Sequence, residues 1–281
     1  MVSRSIQVAL RCMLLAFTLS LCACTGFFFY PWNKLVRTPA DVGVAYERIE
    51  LSAPGQPKLV GWFLPAKGAA RGSILFLHGN AENISTHLAA VHWLPEQGYQ
   101  VFIFDYQGYG ESEGSPSLPN AISDAERAVS YLQSRPDVLH QRFFLFGQSL
   151  GASLALYLAA QPQYANTFTA IIADSPFSSY RQIAREKVAS VWVGYLLQWP
   201  LGFLVNNDYS PDKVITSIHA PILFLHGTND NVVPAQHSAD LCAKVQANCE
   251  RWLVPDATHG EILAMPEYRK KLVHYLDTVQ R

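Results

Sequence analysis

Short apolar runs alternate with amphipathic segments along most of this chain. The apolar runs are typical of strands buried on both faces of a sheet, and they cover residues 73–78, 100–105, 143–146, 168–173, 221–226 and 250–254. The segments between or after them have the apolar spacing of helices, at residues 82–97, 120–134, 154–160, 235–247 and 266–279. This alternation predicts an α/β fold, a mostly parallel sheet with helices on both faces.

Two segments depart from the alternation. Residues 44–51 and 59–65 alternate apolar and polar positions around Pro54-Gly55-Gln56-Pro57, which predicts a β-hairpin ahead of the first buried strand. Residues 176–218 are rich in aromatic and aliphatic residues and fit neither a strand nor a single helix. We interpret them as a helical cap over the carboxyl ends of the strands, the alternative being a helical hairpin within the core.

The N-terminus has the charge pattern of a targeting segment. Arg4 and Arg11 precede an apolar stretch at residues 13–21, as in a secretory signal peptide. The run Leu21-Cys22-Ala23-Cys24 that follows resembles a bacterial lipobox, which implies cleavage before Cys24 and acylation of its thiol. Thr25 stands where inner-membrane lipoproteins carry aspartate. The pattern therefore indicates an outer-membrane lipoprotein that faces the periplasm.

An uncleaved membrane anchor is the alternative for the same region. Residues 12–33 carry no formal charge, and a stretch of this length can span a bilayer. We therefore expect a signal peptide at residues 1–23, or an anchor that ends near residue 33. A tether at residues 24–43 and a globular domain at residues 44–281 would follow. Both alternatives attach the domain to a membrane.

Composition limits the classes of partner. The chain has 281 residues, of which 49% are hydrophobic, enough for one sizeable core. Its formal net charge is −1 and it has no cluster of Lys and Arg, so we expect no nucleic-acid partner. Nothing in the sequence indicates an oligomeric state.

Two cysteines remain in the domain if the N-terminal ones are removed or acylated. Cys242 and Cys249 could form a disulfide that closes a helix onto the next strand in an oxidising compartment. Two buried thiols are the alternative. Neither cysteine has histidines at the spacing of a zinc site, so we expect no metal.

The sequence Gly147-Gln148-Ser149-Leu150-Gly151 lies between a predicted strand and a predicted helix. That is the context of a nucleophile elbow, in which a serine is held on a sharp turn. Glycines at both ends of the motif allow neighbouring backbone to approach closely. Ser149 is therefore the candidate nucleophile.

A serine nucleophile needs a base and an acid that orients the base. Among nine histidines, only His259 lies in the loop after the last predicted strand. Asp230 lies in the loop after the preceding strand, and Asp174, which ends the strand before that one, is the alternative acid. In parallel sheets these loops converge at one edge, so Ser149, Asp230 and His259 can meet.

The tetrahedral intermediate of such a reaction needs hydrogen-bond donors for its oxyanion. One is expected from the backbone amide of Leu150, directly after the nucleophile. Asn80, in the loop after the first buried strand, is expected to supply the second amide. The same loop could simply begin a helix, with Asn83 as its cap; the two roles are compatible.

These residues stand within motifs that resemble the α/β-hydrolase superfamily, and more narrowly its membrane-associated ABHD-type serine hydrolases and their bacterial lipoprotein-like relatives. The motifs are His78-Gly79-Asn80-Ala81, Asp105-Tyr106-Gln107-Gly108-Tyr109-Gly110, Gly147-Gln148-Ser149-Leu150-Gly151, Asp174-Ser175-Pro176-Phe177 and His226-Gly227-Thr228-Asn229-Asp230. The resemblance covers residues 44–281 and implies the α/β-hydrolase fold. Family members usually have arginine in place of Gln107, and arginine or histidine in place of Gln148, which leaves the three catalytic candidates untouched but weakens any transfer of substrate preference.

The resemblance implies hydrolysis of esters, thioesters or amides through an acyl-enzyme, without a cofactor. An ester or thioester hydrolase acting on an acylated or other small-molecule substrate at the cell envelope is the first hypothesis, because a lipid anchor and an apolar cap both favour such substrates. The alternatives are a serine peptidase of the prolyl-oligopeptidase type and a non-catalytic ligand-binding lipoprotein.

Overall fold

The computed structural model describes residues 28–138, 141–189, 198–199, 202–245 and 248–280. Within them lies an eight-stranded sheet, with strands β1 (Glu47–Leu51), β2 (Leu59–Leu64), β3 (Gly72–Leu77), β4 (Tyr99–Phe104), β5 (Phe143–Gln148), β6 (Ala170–Asp174), β7 (Ile222–Gly227) and β8 (Cys249–Val254). The strand order is β8-β7-β6-β5-β3-β4-β2-β1. Strand β2 is antiparallel to β1 and β4, and all other pairs are parallel. The predicted hairpin and mostly parallel sheet are confirmed.

The central strands are apolar because both of their faces are covered. Every residue of β3, β4 and β5 is buried, whereas most residues of the edge strands β1 and β8 are exposed or only partly buried. Successive side chains point to opposite faces, so Leu75 belongs to one apolar cluster and its neighbour Phe76 to another. The sheet thus separates two hydrophobic layers and aligns its carboxyl ends at one edge.

Helices cover both layers. They are α1 (Ile84–His87), α2 (Leu118–Ser134), α3 (Leu150–Ala159), α4 (Tyr180–Ala189), α5 (Pro211–Val214), α6 (Gln236–Cys242) and α7 (Pro266–Thr278). Short 3₁₀ turns lie at Pro39–Val42, Leu88–Ala90, Pro95–Gln97, Pro162–Tyr164, Ile215–Ser217 and Ile262–Ala264. Helices α2 and α3 contribute to one apolar layer, and α7 contributes Leu272 and Leu276 to the other.

The continuous helix predicted over residues 82–97 is wrong. Helix α1 ends at His87, and 3₁₀ turns follow at Leu88–Ala90 and Pro95–Gln97. Pro95 has no N–H with which to continue the ladder, and Gly98 ends the segment in the left-handed conformation. The apolar side chains of the segment are still buried, so packing satisfies the pattern without a regular helix.

The tether predicted for residues 24–43 is corrected in its described part. The backbone of Tyr30–Pro31 pairs in parallel with Ala81–Glu82. Phe28 and Phe29 are buried in the apolar layer that also holds α2 and α3. Burying two aromatic rings stabilises the packing of this segment against the rest of the domain, so the segment belongs to the domain.

Several sequence-based predictions lie partly or wholly outside the described residues. The signal peptide and the lipidation site Cys24 are outside them, and only parts of the cap at residues 176–218 are inside, including α4. In the described part of the chain no helix combines the length and hydropathy needed to cross a bilayer.

A disulfide joins Cys242 at the end of α6 to Cys249 at the start of β8, with the two Cα atoms 5.9 Å apart.

Candidate active site

Ser149 lies on the sharp turn between β5 and α3. Its φ of 55° and ψ of −117° place a non-glycine residue in a strained backbone conformation. A Cβ at Gly147 would collide with the carbonyl of Gly151, and one at Gly151 would collide with the carbonyl of Leu77. Both glycines of the motif are therefore required by backbone packing, as expected of a nucleophile elbow.

Asp230 and His259, the acid and the base predicted from the sequence, are hydrogen-bonded to each other. His259 Nδ1 lies 2.7 Å from Asp230 Oδ2. The other carboxylate oxygen, Oδ1, accepts the backbone N–H groups of Val232 and Val233 at 2.9 and 2.8 Å. Because the carboxylate is an acceptor, the proton of a neutral His259 lies on Nδ1, and Nε2 is left as a base.

Asp230 is held in its ionised form. Burial by itself raises the pKa of Asp230, but hydrogen bonds from His226 and His259 outweigh it and hold the pKa far below the usual range. His226 Nε2 is 3.4 Å from Oδ2, and the same nitrogen is 2.8 Å from the carbonyl oxygen of Val233. A permanent negative charge beside His259 stabilises the imidazolium that forms when the base takes a proton.

The loop that carries His259 is attached to the residue directly before the nucleophile. Gln148 Nε2 donates to the carbonyl oxygen of Gly260 at 3.2 Å and to Asp174 Oδ2 at 3.1 Å. In the described part of the molecule, Ser149 Oγ and His259 Nε2 make no hydrogen bond, to each other or to any other group. Catalytic hydrogen bonds often tighten only when substrate is bound.

The alternative acid, Asp174, does not bond to His259. Its carboxylate accepts from Gln148 Nε2 and from Ser175 Oγ, and burial raises its pKa. Of the other histidines, His78 and His226 are fully buried. His237, on α6, is bonded to Ser178 and Glu186 instead.

The two expected oxyanion donors lie beside the nucleophile. Asn80, Ser149 and Leu150 line the same cavity. Asn83 also caps α1, since its Oδ1 accepts from Ser85 N at 2.9 Å, so the loop begins a helix as well. The carbonyl of Asn80 is fixed by Tyr109 Oη at 2.6 Å and by the N–H of Tyr30 at 2.8 Å.

The hydroxyl of Tyr109 is therefore expected to position the oxyanion loop. Tyr109→Phe should lower kcat about five- to ten-fold, because a neutral hydrogen bond contributes roughly 1 kcal/mol. KM should stay within about two-fold, since the hydroxyl contacts only backbone groups, of Asn80 and Tyr30, and Tyr109 does not line the cavity. Steady-state hydrolysis of a soluble ester measures both constants.

Tyr99→Phe is the matched control. Tyr99 Oη bonds to Asp277 at 2.6 Å, at the amino end of β4 and away from the site. Its loss should change stability and leave kcat unaltered. Equal effects of the two substitutions on kcat would show that Tyr109 acts through stability alone.

A cavity of about 230 Å³ opens at Ser149. Its wall is mainly apolar, formed by Phe28, Phe177, Ile183, Ala184, Val232 and Val233. Lys187 supplies a cationic group to the lining. An apolar cavity next to a nucleophile suits the hydrocarbon part of an acyl group.

A second cavity, of about 540 Å³, has a more polar lining and reaches Gln148, the residue directly before Ser149. It is lined by Gln148 and Gly260 together with Glu82, His87, Glu261 and Arg269. In the described residues no group of three His, Cys, Asp or Glu side chains could hold a metal.

Two parts of the site were not found from the sequence. Gln148 links Asp174, Gly260 and His87, whose Nδ1 is 3.0 Å from Gln148 Oε1. The sequence identified Gln148 only as a departure from the family pattern. Phe28 was assigned to a tether, although the aromatic run that begins at Phe27 could have indicated a buried segment.

Comparison with known proteins agrees with this fold. The sequence model of the family described as serine aminopeptidase, S33, matches residues 68–212. The chain is 35% identical to the uncharacterized protein YfhR of Salmonella typhi over 268 residues, 89% of this chain and 87% of that protein. It is 32% identical to the alpha/beta hydrolase domain-containing protein WAV2 of Arabidopsis thaliana, over 75% of this chain and 70% of that one. An esterase structure from Pyrococcus furiosus superposes with a TM-score of 0.71 at 22% identity, covering 90% and 98% of the two chains, and shows the same fold.

Proposed function

The chain belongs to the serine aminopeptidase S33 family of α/β-hydrolases, and from that premise we propose that it cleaves carboxylic esters or thioesters through an acyl-enzyme on Ser149. The observation that carries the proposal is the hydrogen-bonded pair of Asp230 and His259, tied through Gln148 to the elbow serine at the mouth of an apolar cavity.

The proposed mechanism follows from the positions of these groups. His259 Nε2 takes the proton of Ser149 as its Oγ attacks the acyl carbon, and Asp230 stabilises the resulting imidazolium. The amides of Leu150 and Asn80 donate to the oxyanion. His259 then protonates the alcohol or thiol as it leaves. In the second half, His259 takes a proton from water as the water attacks the acyl-enzyme, and it returns that proton to Ser149 Oγ as the carboxylic acid is released.

The cavity supports an acyl substrate of limited size. Its volume of about 230 Å³ is below the roughly 300–1,000 Å³ of sites for drug-sized ligands. A short or medium acyl chain would fill the space among Phe28, Phe177 and Ile183. A peptide is the second candidate, supported by the description of the family as serine aminopeptidases.

We also propose that the enzyme is held at the cell envelope, through a lipid on Cys24 or through an uncleaved anchor. The lipobox-like run that ends at Cys24 supports the first form, and the uncharged residues 12–33 support the second. Sensitivity of its processing to globomycin, a lipoprotein signal peptidase inhibitor, distinguishes the two.

A substrate panel tests the reaction. p-Nitrophenyl esters of increasing acyl length should be hydrolysed best at short to medium length, and aminoacyl-anilides far more slowly. Ala184→Leu reduces the cavity because Ala184 is buried in its wall, so it should move the optimum to shorter acyl chains. Faster turnover of anilides would favour the peptidase, and no turnover of either class would favour a non-catalytic binding protein.

A further inference from the structure

The segment that follows Cys24 is built into the active site. We define the N-terminal segment as residues 28–36. The N–H of Tyr30 donates to Asn80 O at 2.8 Å, and the N–H of Trp32 donates to Glu82 O at 3.0 Å. Farther along, Val36 N donates to Ser85 Oγ at 2.9 Å. The segment is therefore fixed along the whole oxyanion loop and the start of α1.

The first residue of the segment forms a wall of the acyl cavity. The ring of Phe28 lies edge-on to Tyr180, with centroids 5.1 Å apart, and 6.4 Å from the ring of Phe177. Phe28 and Tyr30 line the cavity beside Ser149. The chain thus passes directly from its anchor region into the wall of the catalytic cavity.

The outer side of the segment is apolar and exposed. Tyr30, Trp32 and Val36 are 53%, 53% and 54% exposed. Val232, which is 44% exposed, lines the same cavity as Tyr30. Tryptophan and tyrosine are enriched where proteins meet the lipid headgroups, since one end of the ring is apolar and the other polar.

Basic residues accompany these aromatic ones. Lys34 and Arg37 are exposed on or just after the segment, and Lys187 lines the cavity. An exposed surface that combines tryptophan, valine and cationic groups is complementary to a bilayer that contains anionic lipids.

The distance from the anchor is short. Phe28 is the fourth residue after Cys24. A fully extended chain spans at most about 14 Å over four residues. A lipid on Cys24 would therefore keep Phe28, and with it the cavity wall, within about 14 Å of the attachment point.

We propose that the exposed face of residues 30–36 docks on an anionic lipid bilayer, so that acyl substrates enter the cavity from the membrane. The inference rests on the proposed function for the identity of the substrate and extends it by stating where the substrate comes from. The mouth of the cavity lies at the level of the headgroups, and the hydrocarbon chain reaches Phe28 and Phe177 without crossing bulk water.

The test uses the full chain in vesicles of phosphatidylethanolamine and phosphatidylglycerol. Two rates are compared: hydrolysis of a water-soluble p-nitrophenyl ester, and hydrolysis of a fluorogenic ester that has the same short or medium acyl chain and a leaving group anchored in the bilayer. Insertion of about ten Gly and Ser residues between Thr25 and Gly26 adds a flexible span of roughly 18 Å. Trp32→Ser combined with Val36→Ser removes the docking side chains, and Leu253→Ser removes an equally apolar side chain that is 44% exposed on the edge strand β8.

We expect the insertion and the double substitution each to lower the ratio of bilayer to soluble hydrolysis at least about five-fold, with soluble hydrolysis unchanged. Leu253→Ser should leave the ratio as it is. An unchanged ratio in both altered forms would overturn the proposal. If the unaltered chain hydrolysed neither substrate, or hydrolysed them without need of Ser149, the proposed function would be overturned instead.

A binding measurement keeps the docking test independent of activity. Lipids with brominated acyl chains should quench part of the tryptophan fluorescence, and Trp32→Phe should remove that part. Quenching that Trp32→Phe leaves unaltered contradicts docking through this face. A second copy of the chain covering the face would also contradict it, and would be observed as a dimer in detergent that depends on Trp32.

Discussion

Ser149→Ala is expected to lower ester hydrolysis about 10⁵- to 10⁶-fold and to abolish labelling by a fluorophosphonate probe. Removal of the hydroxyl leaves no nucleophile, whereas the oxyanion donors and the cavity remain, so a residual rate above that of water should persist. The substitution removes one atom at a turn whose φ of 55° is already strained for serine, and the fold should be retained. Labelling of the purified chain and a p-nitrophenyl ester assay measure the two effects.

Ser175→Ala is a closely matched control for this prediction. Ser175 also has a positive φ, of 52°, follows the carboxyl end of the neighbouring strand β6, and is buried. Its hydroxyl bonds to Asp174 and not to the cavity. Labelling that survives Ser149→Ala but disappears in Ser175→Ala would show that the nucleophile had been assigned to the wrong serine.

The sheet and the elbow could be predicted because they depend on local signals. Strands covered on both faces must be apolar throughout, so β3 to β5 are visible as uninterrupted runs. The glycines around Ser149 are required by contacts within a few residues and with the adjacent strand. Asp230 and His259 follow from chain order, since loops after parallel strands meet at one edge.

The remaining features depend on contacts between distant parts of the chain. Phe28 meets Phe177 and Tyr180 across about half of the sequence, and nothing in residues near Phe28 indicates those partners. Gln148 bonds to Asp174 and Gly260, which only the completed sheet brings beside it. The segment after α1 has a helical apolar pattern, but Pro95 and tertiary packing favour 3₁₀ turns.

These long-range contacts also connect anchoring with catalysis. The segment nearest the proposed lipid supplies a wall of the cavity and fixes the carbonyl of Asn80. A shortened chain that begins after residue 36 would therefore lack part of the proposed active site as well as the proposed anchor. Activity measured on such a chain would underestimate that of the full chain.

Asp230→Asn is expected to lower kcat about 10⁴-fold through the tautomer of His259. Oδ1 of Asp230 accepts two backbone N–H groups, from Val232 and Val233, so the amide oxygen of asparagine would keep that position. The amide nitrogen would then take the position of Oδ2, 2.7 Å from His259 Nδ1. Two donors cannot share that contact, so the proton of His259 would move to Nε2, which could no longer accept the proton of Ser149.

Asp174→Asn distinguishes this effect from a general loss of buried charge. Asp174 is buried beside the same loop but bonds to Gln148 and Ser175, so its substitution should lower kcat less than about ten-fold. The opposite order of effects would make Asp174 the acid.

Stability gives a second measurement, because the pKa of Asp230 is lowered in the folded chain. Its carboxylate stabilises the fold above the unfolded pKa of about 4, and this contribution is lost as the pH falls below that value. The difference in free energy of unfolding between the unaltered chain and Asp230→Asn, measured in urea, should therefore be larger at pH 7 than at pH 3. A difference that does not change with pH would mean that the charge of Asp230 is not what the surrounding hydrogen bonds stabilise.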